Sequence, residues 1–128
     1  MSGSLSELLN ELADQLPGCL HTSVIDGQTG LALVSVSEVD ALDAAGTDAY
    51  HNDLYRLSEI ALRDTPVSAQ VNDVVLSSDE GTFVSIPIGK SGYRWLVVTG
   101  RDATVGFVQA LMRKHVARIG DSLNTLTE

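Results

Sequence analysis

Apolar residues recur at helical spacing in three parts of the chain, and β-type stretches lie between them. The first helical part follows Ser4, which forms a capping-box pattern with Glu7, and it stops at Pro17 and Gly18. The apolar residues of this part share one narrow face: Leu5, Leu8, Leu9, Leu12 and Leu16. The pattern therefore predicts an amphipathic helix at the start of the chain.

Two β-rich stretches follow, at residues 19–26 and 31–37. A short polar insert between them has a glycine near each end, which favours a tight hairpin. Three more stretches lie between Val71 and Gly100, and turn residues separate them: 74–76, 82–88 and 93–99. Short connections between successive strands are typical of antiparallel pairing.

Two further helices complete the pattern. The acidic, alanine-rich segment from Glu38 to Thr47 favours a loop or a weak first helical turn, and a helix from about Asp48 to Arg63 follows it. Asp102 or Thr104 is expected to cap a long last helix, whose apolar stripe is Val105, Val108, Met112, Val116, Ile119 and Leu123. The predicted fold is α+β, a single domain over residues 1–128. Its element order is αββαβββα, with one five-stranded antiparallel sheet covered by helices.

The middle helix has apolar residues on two faces. One face, predicted to cover the sheet, contains Tyr50, Leu54, Leu57 and Ala61. On the other side lie Tyr55 and Leu62, with the small Ser58 between the two faces, where a helix that covers a sheet in a monomer should be polar. They are either scattered surface residues or a contact with a second copy of the chain. We favour the contact, with Arg56 and Glu59 pairing across it.

Two other surfaces are candidates for contacts with partners. The strand at Val74 and Leu76 is expected at a sheet edge, where two copies could join their sheets across a two-fold axis. On the last helix, Phe107 and Leu111 point away from the core stripe, near Arg118. They either bind a partner or cover a neighbouring strand of the same chain.

Composition and charge narrow the classes of function. The 128 residues have a net charge of −9, which argues against nonspecific nucleic-acid binding. Residues 1–80 hold 14 acids and two bases, whereas residues 81–128 hold three acids and six bases. No apolar run is long enough to span a membrane, and no signal-peptide pattern begins the chain. With Cys19 as the only cysteine, a cytosolic protein without membrane insertion is expected.

No pattern in the sequence points to catalysis. Gly89-Lys90-Ser91 lacks the earlier glycine of a phosphate loop and precedes a strand, so a hairpin turn is predicted there. The three histidines are not at metal-ligand spacing, and the serine-elbow pattern is absent from the sequence. We therefore expect a protein that is not an enzyme, without catalytic residues, metal or cofactor.

In this order of elements, the chain resembles the Roadblock/dynein-light-chain domain family over nearly its whole length. The resemblance rests on the leucine-rich start from Leu5 to Gly18, on the hairpin from Val24 to Leu33, and on the segment from Trp95 to Gly106. The long acidic segment from Glu38 to Thr47 departs from it. The resemblance implies a roadblock/profilin-like fold and a homodimer in which the middle helices pair and the edge strands join.

The resemblance also implies function. Prokaryotic members regulate or scaffold small Ras-like GTPases, and eukaryotic members serve as adaptors on dynein or lysosomal complexes. We therefore expect a dimeric regulator or scaffold of a small GTPase. The alternatives are an adaptor that links larger proteins and a ligand sensor with a pocket lined by His21 or Tyr50. Arg56, Arg63 and Arg101 are candidates for an arginine finger only because transition-state phosphoryl groups attract arginine.

Overall fold

The computed structural model describes residues 2–38, 43–67 and 70–127. It contains three helices and one five-stranded antiparallel sheet with the strand order β2-β1-β5-β4-β3. The elements are α1 (Ser2–Gln15), β1 (Cys19–Asp26), β2 (Ala32–Ser37), α2 (Ala44–Leu62), β3 (Val74–Ser78), β4 (Gly81–Pro87), β5 (Tyr93–Gly100) and α3 (Val105–Thr127). The predicted fold class and element order are confirmed.

Helices α1 and α3 cover one face of the sheet and form the main core. The leucine stripe of α1 and the predicted stripe of α3 pack there against Trp95 at the centre of the sheet. Trp95 has no exposed surface, and its Nε1 donates a hydrogen bond of 2.8 Å to Oγ1 of Thr22. The apolar patterns of these two helices therefore predict their buried sides correctly.

Helix α2 lies on the opposite face of the sheet. It contacts β1, β2 and β3. A small apolar cluster joins it to β3, with Tyr55, Val71 and Val74 buried. The rest of the sheet beneath α2 is partly polar, because β1 places His21 and Ser23 on this side. This face therefore differs in chemistry from the apolar face under α1 and α3.

Two helices begin earlier than the sequence predicts. Helix α2 begins at Ala44, because the Asp43 carboxylate accepts a hydrogen bond of 3.0 Å from the Gly46 amide. Of the two alternatives for this segment, residues 44–47 therefore form a first helical turn and not a loop, and residues 39–42 lie outside the described residues. Helix α1 begins at Ser2, ahead of the predicted cap at Ser4, whose side chain is also outside the described part.

The sheet has two edges, β2 and β3, and the predicted edge position of β3 is confirmed. The predicted turns at residues 27–30 and 89–92 join β1 to β2 and β4 to β5. Gly30 adopts a φ of 76°, a conformation that a glycine reaches without steric cost. Within the part of the chain that the structure describes, every helix is too short or too polar to cross a membrane.

Candidate functional site

A buried hydrogen-bond network joins α2 to the two strands at one end of the sheet. Oδ1 of Asp48 accepts hydrogen bonds from Nε2 of His21 at 2.9 Å and from the hydroxyl of Ser23 at 2.7 Å. The other ring nitrogen of His21, Nδ1, lies 2.6 Å from the hydroxyl of Ser37. Because a carboxylate oxygen only accepts, Nε2 of His21 carries a proton. The network fixes the first turns of α2 on β1 and β2.

The order of these groups, from hydroxyl to imidazole to carboxylate, is the order found in a catalytic triad. However, His21 has no exposed surface, and Asp48 also holds Ser23. We therefore interpret the network as a structural link between α2 and the sheet. Across residues 2–38, 43–67 and 70–127, no cluster of three or more histidine, cysteine, aspartate and glutamate side chains could hold a metal ion.

The ligand-sensing alternative would be favoured by a cavity lined by His21 or Tyr50. His21 is enclosed and bonded through both ring nitrogens, whereas the side chain of Tyr50 is 75% exposed on the outside of α2. Neither residue therefore lines an internal pocket between α2 and the sheet. The feature that would favour this alternative is therefore not found among the described residues.

A second set of contacts fixes the middle of α2. The Tyr55 hydroxyl donates a hydrogen bond of 2.7 Å to the carbonyl of Val71, and burial raises the pKa of Tyr55 to about 12. The Arg94 guanidinium lies 3.9 Å from the centre of the Tyr55 ring and forms a 3.1 Å ion pair with Glu59. Arg94 also donates hydrogen bonds to Asn52. Helix α2 is thus held on its inner side by polar contacts as well as by apolar packing.

His51 is a third inward-facing polar residue of α2. Its ring stacks on Phe83 of β4, with ring centres 4.4 Å apart and an angle of 3° between the planes. Desolvation lowers the pKa of His51, and the nearby Asp48 charge opposes this shift. The Nδ1 atom is buried and has no hydrogen-bond partner among the described residues. His51 therefore packs against the sheet chiefly as an aromatic ring.

The predicted assignment of the two faces of α2 is wrong except for Leu54, which is half-buried against the inner apolar cluster as predicted. Tyr55 is only 3% exposed, and Leu62 is half-buried against the same apolar cluster. Tyr50 and Leu57, which were predicted to cover the sheet, are 75% and 61% exposed. The reason is that three polar residues of α2 find contacts on the sheet and therefore face inward. Asp48 bonds to His21 and Ser23, Asn52 bonds to Arg94, and His51 stacks on Phe83.

The exposed apolar surface of α2 is therefore the face that was predicted to be buried. Tyr50, Leu57 and Ile60 lie on it, and a shallow groove of about 360 Å³ is lined by Asp53, Arg56, Leu57 and Ile60. Leu76 of β3 is also exposed, and its pairing with Phe83 places its side chain on the same side of the sheet as α2. We call Tyr50, Leu57, Ile60 and Leu76 the α2–β3 surface.

The other residues predicted at the dimer contact are spread around α2 and β3. Arg56 is exposed, whereas Glu59 is engaged with Arg94. Ser58 is half-buried, and its hydroxyl donates a hydrogen bond to the Leu54 carbonyl. Val74 is buried beneath α2, so of the two β3 residues only Leu76 is available to a partner.

The predicted partner residues of α3 have different surroundings. Phe107 is 52% exposed, as that prediction requires. Leu111 is half-buried and packs against the main core, which is the alternative considered for it. Arg118 forms a 3.3 Å ion pair with Glu11 of α1, so its charge links two helices of the same chain.

Several solved structures have a similar fold. No protein-family model and no curated protein matches the chain. Among solved structures, a Roadblock/LC7 domain from Streptomyces avermitilis matches with a TM-score of 0.81 at 22% identity, over 92% of this chain and 96% of that one. Myxococcus xanthus MglB matches with a TM-score of 0.82 at 10% identity, over 99% of this chain and 92% of that one.

A third structure, described as MglB with tetrameric arrangement, has a TM-score of 0.80 at 14% identity, covering 94% of this chain and 90% of that one. All three identities are low, and all three matches extend over nearly the whole chain. The similarity therefore concerns the complete arrangement of helices and strands.

Proposed function

We propose that this chain, which has the fold of the Roadblock/LC7 domain, acts as a homodimeric, non-enzymatic regulator or scaffold of a small Ras-like GTPase in the cytosol. It would do so as a single roadblock-like domain over residues 1–128. The observation that carries the proposal is the α2–β3 surface, an exposed apolar helix face beside a free strand edge.

The α2–β3 surface has the composition of a contact between two copies. Tyr50, Leu57 and Ile60 recur at helical spacing, and each has more than half of its surface exposed. Contiguous exposed apolar residues of this kind are typical of protein interaction sites. Charged residues stand beside them, since Asp53 and Arg56 line the same groove and could pair across a two-fold axis.

The edge of β3 supports the same arrangement. Its sequence has no proline and no charged residue that would block the addition of another strand. Two β3 strands paired across a two-fold axis would continue the sheet from one copy into the next. Because α2 packs on β3 through Tyr55 and Val74, such pairing would also bring the two α2 helices together.

The proposed GTPase partner follows from the family resemblance rather than from a site in this chain. The resemblance of the sequence to Roadblock domains implies it, and the similarity in fold to a Roadblock/LC7 domain supports that resemblance. A two-fold dimer would present a composite surface that neither copy has alone. We propose that this surface positions the GTPase, with no arginine of this chain acting on the phosphates.

The test uses a Ras-like GTPase from the genome that encodes this chain. Binding is measured by calorimetry with the GTPase in its GDP form and bound to a non-hydrolysable GTP analogue, and GTP hydrolysis is measured with and without this chain. We expect binding in at least one nucleotide state. We also expect binding to weaken at least about tenfold when Leu57→Glu and Ile60→Glu separate the copies.

Asn10→Glu combined with Gln15→Glu is the matched control, since it adds the same two charges at exposed positions of α1, on the face of the sheet opposite α2. It should leave GTPase binding unchanged. A dimer that binds the GTPase in neither nucleotide state would contradict GTPase regulation and favour the adaptor function. Equal GTPase binding by the dimer and by the separated copies would contradict the composite surface.

A further inference from the structure

Strand β2 forms the edge of the sheet opposite β3, and like β3 it lacks the usual protection against pairing with another strand. Among the residues that the structure describes, strand β2 pairs with β1 on one side only, and the sequence of β2 contains no proline and no charged residue. Such residues are common protections against the addition of another strand. The exposed leucines beside and within this strand, Leu31 and Leu33, add apolar surface to it.

The register of the hairpin shows which backbone groups of β2 are free to bind. The Glu38 amide donates to the Leu20 carbonyl, so Glu38 points toward β1. In antiparallel pairing the backbone groups alternate in direction, and the regular register runs from His21↔Ser37 to Val24↔Val34. The N–H and C=O groups of Ser35 and Ser37 therefore point away from the sheet.

A groove runs beside this edge on the side that α2 covers. It has a volume of about 400 Å³, and the hairpin contributes Leu31, Ala32 and Ser35 to its wall. The first turn of α2 forms the other wall with Ala44 and Ala45, and Asp48 lies at the groove as well. Every second side chain of a strand added to β2 would face this side of the sheet.

The charge around the edge is of one sign. The first 55 residues of the chain contain no lysine and no arginine. Glu38 follows β2 directly, and Asp43 precedes the alanines of the groove. A second copy of the chain would present the same acidic segment to this edge, so self-pairing here is opposed by like charges.

We propose that β2 and the adjoining groove bind an extended segment of a partner protein that is rich in lysine or arginine and carries small apolar residues at alternate positions. The backbone of the segment would pair with Ser35 and Ser37, as in the addition of a strand to a sheet edge. Its apolar side chains would enter the groove, and its cationic side chains would meet the acidic residues. The site is separate from the proposed dimer contact, because β2 and β3 are opposite edges of the sheet.

The test uses the full chain labelled with ¹⁵N and a fluorescein-labelled peptide of about nine residues, the length of a strand with overhang at both ends. In this peptide, valines alternate with lysines and threonines. The control peptide has glutamate in place of each lysine. We expect the lysine peptide to bind at least about tenfold more tightly. Its amide shift changes should centre on residues 32–37 and 44–48.

Two comparisons distinguish the contribution of charge to peptide binding from the contribution of backbone hydrogen bonds. Glu38→Lys should weaken binding of the lysine peptide, whereas Glu80→Lys, the same change at the turn between β3 and β4, should not. Ser35→Pro removes one outward N–H without removing a bond to β1, and it should abolish binding while circular dichroism stays unchanged. If Ser35→Pro does not fold, the comparison of Glu38→Lys with Glu80→Lys decides.

Each contrary outcome overturns the proposal. Equal binding of the two peptides, no binding of the lysine peptide, or shift changes centred on β3 or α3 would each do so. Assembly of the free chain beyond a dimer that is lost in Ser35→Pro would show instead that a second copy occupies this edge.

Discussion

Replacing Tyr55 with phenylalanine isolates one contact that holds α2 on the sheet. The substitution removes the hydroxyl that donates to the Val71 carbonyl at 2.7 Å. The ring remains, so its packing against Val71 and Val74 and its contact with Arg94 are kept. The change therefore reports on the hydrogen bond and on the ionisation of the phenol.

At pH 7 we expect Tyr55→Phe to lower the free energy of unfolding by about 1 to 2 kcal/mol, because a buried carbonyl loses its partner. At high pH the difference should shrink. Burial raises the pKa of Tyr55 from its ordinary 10.0 to about 12, so the folded state keeps the phenol proton more tightly than the unfolded state. The contribution of the protonated Tyr55 phenol to the free energy of unfolding of the wild type is complete below pH 10, and it is lost as the pH rises toward 12.

The expected loss in the wild type is about 1.4 kcal/mol by pH 11 and approaches about 2.7 kcal/mol at higher pH. The variant has no phenol at this position and escapes that loss. The two stabilities should therefore become nearly equal close to pH 11. All other ionisable groups are the same in both proteins, so their contributions cancel in the difference.

The assay is urea unfolding of both proteins at the same chain concentration, from pH 7 to pH 11. The reasoning fails if Tyr55→Phe is as stable as the wild type at pH 7, since the hydroxyl would then have no buried partner. It also fails if the difference stays constant across the whole pH range, since the phenol would then titrate as an exposed group.

Two further predictions concern other buried groups. Asp48→Ala should lower the free energy of unfolding by about 3 kcal/mol, because Ser23 and His21 lose their common acceptor. Asp14→Ala, at an exposed position of α1, should change it by less than about 0.5 kcal/mol, and equal effects in urea unfolding would contradict the network. The pKa of Cys19 is raised from 9.0 to about 11, mainly by burial, so iodoacetamide at pH 8 should label it about a hundredfold more slowly in the folded chain than in urea. Similar labelling rates in the two states would contradict that environment.

The sequence predicts the side of the fold that is held by apolar packing. The leucines of α1 and the stripe of α3 are buried where their spacing places them. Trp95 lies at the centre of this core, as its position in an apolar strand suggests. Periodicity succeeds here because burial of apolar surface is the dominant force on this face.

Periodicity fails on the other face, where specific polar partners decide which side of α2 turns inward. Asp48 is drawn to the sheet by His21 and Ser23, residues more than 20 positions away in the chain. Tyr55 is both an aromatic ring for the apolar cluster and a donor to Val71. The spacing of apolar residues along the helix contains no information about the contacts of Asp48 or about the hydrogen bond of Tyr55. A prediction from that spacing therefore places most inner residues of α2 on the outside.

The residues of α2 that are available to a second copy are therefore different from those that the sequence predicts. The expectation of an apolar helix face beside a free β3 edge remains a proposal, now with Tyr50, Leu57 and Ile60 in place of Tyr55 and Leu62. The long acidic segment that departs from the family pattern precedes this helix. Its last four residues form the first turn of α2 beside the groove at β2.

The mass of the chain in solution tests the proposed dimer most directly. Light scattering at micromolar concentration should give twice the chain mass of 13.6 kDa for the wild type and for the control Asn10→Glu combined with Gln15→Glu. It should give the single chain mass for Leu57→Glu combined with Ile60→Glu, with unchanged far-ultraviolet circular dichroism. A monomeric wild type would contradict the dimer. A double variant that keeps twice the chain mass would contradict the α2–β3 surface.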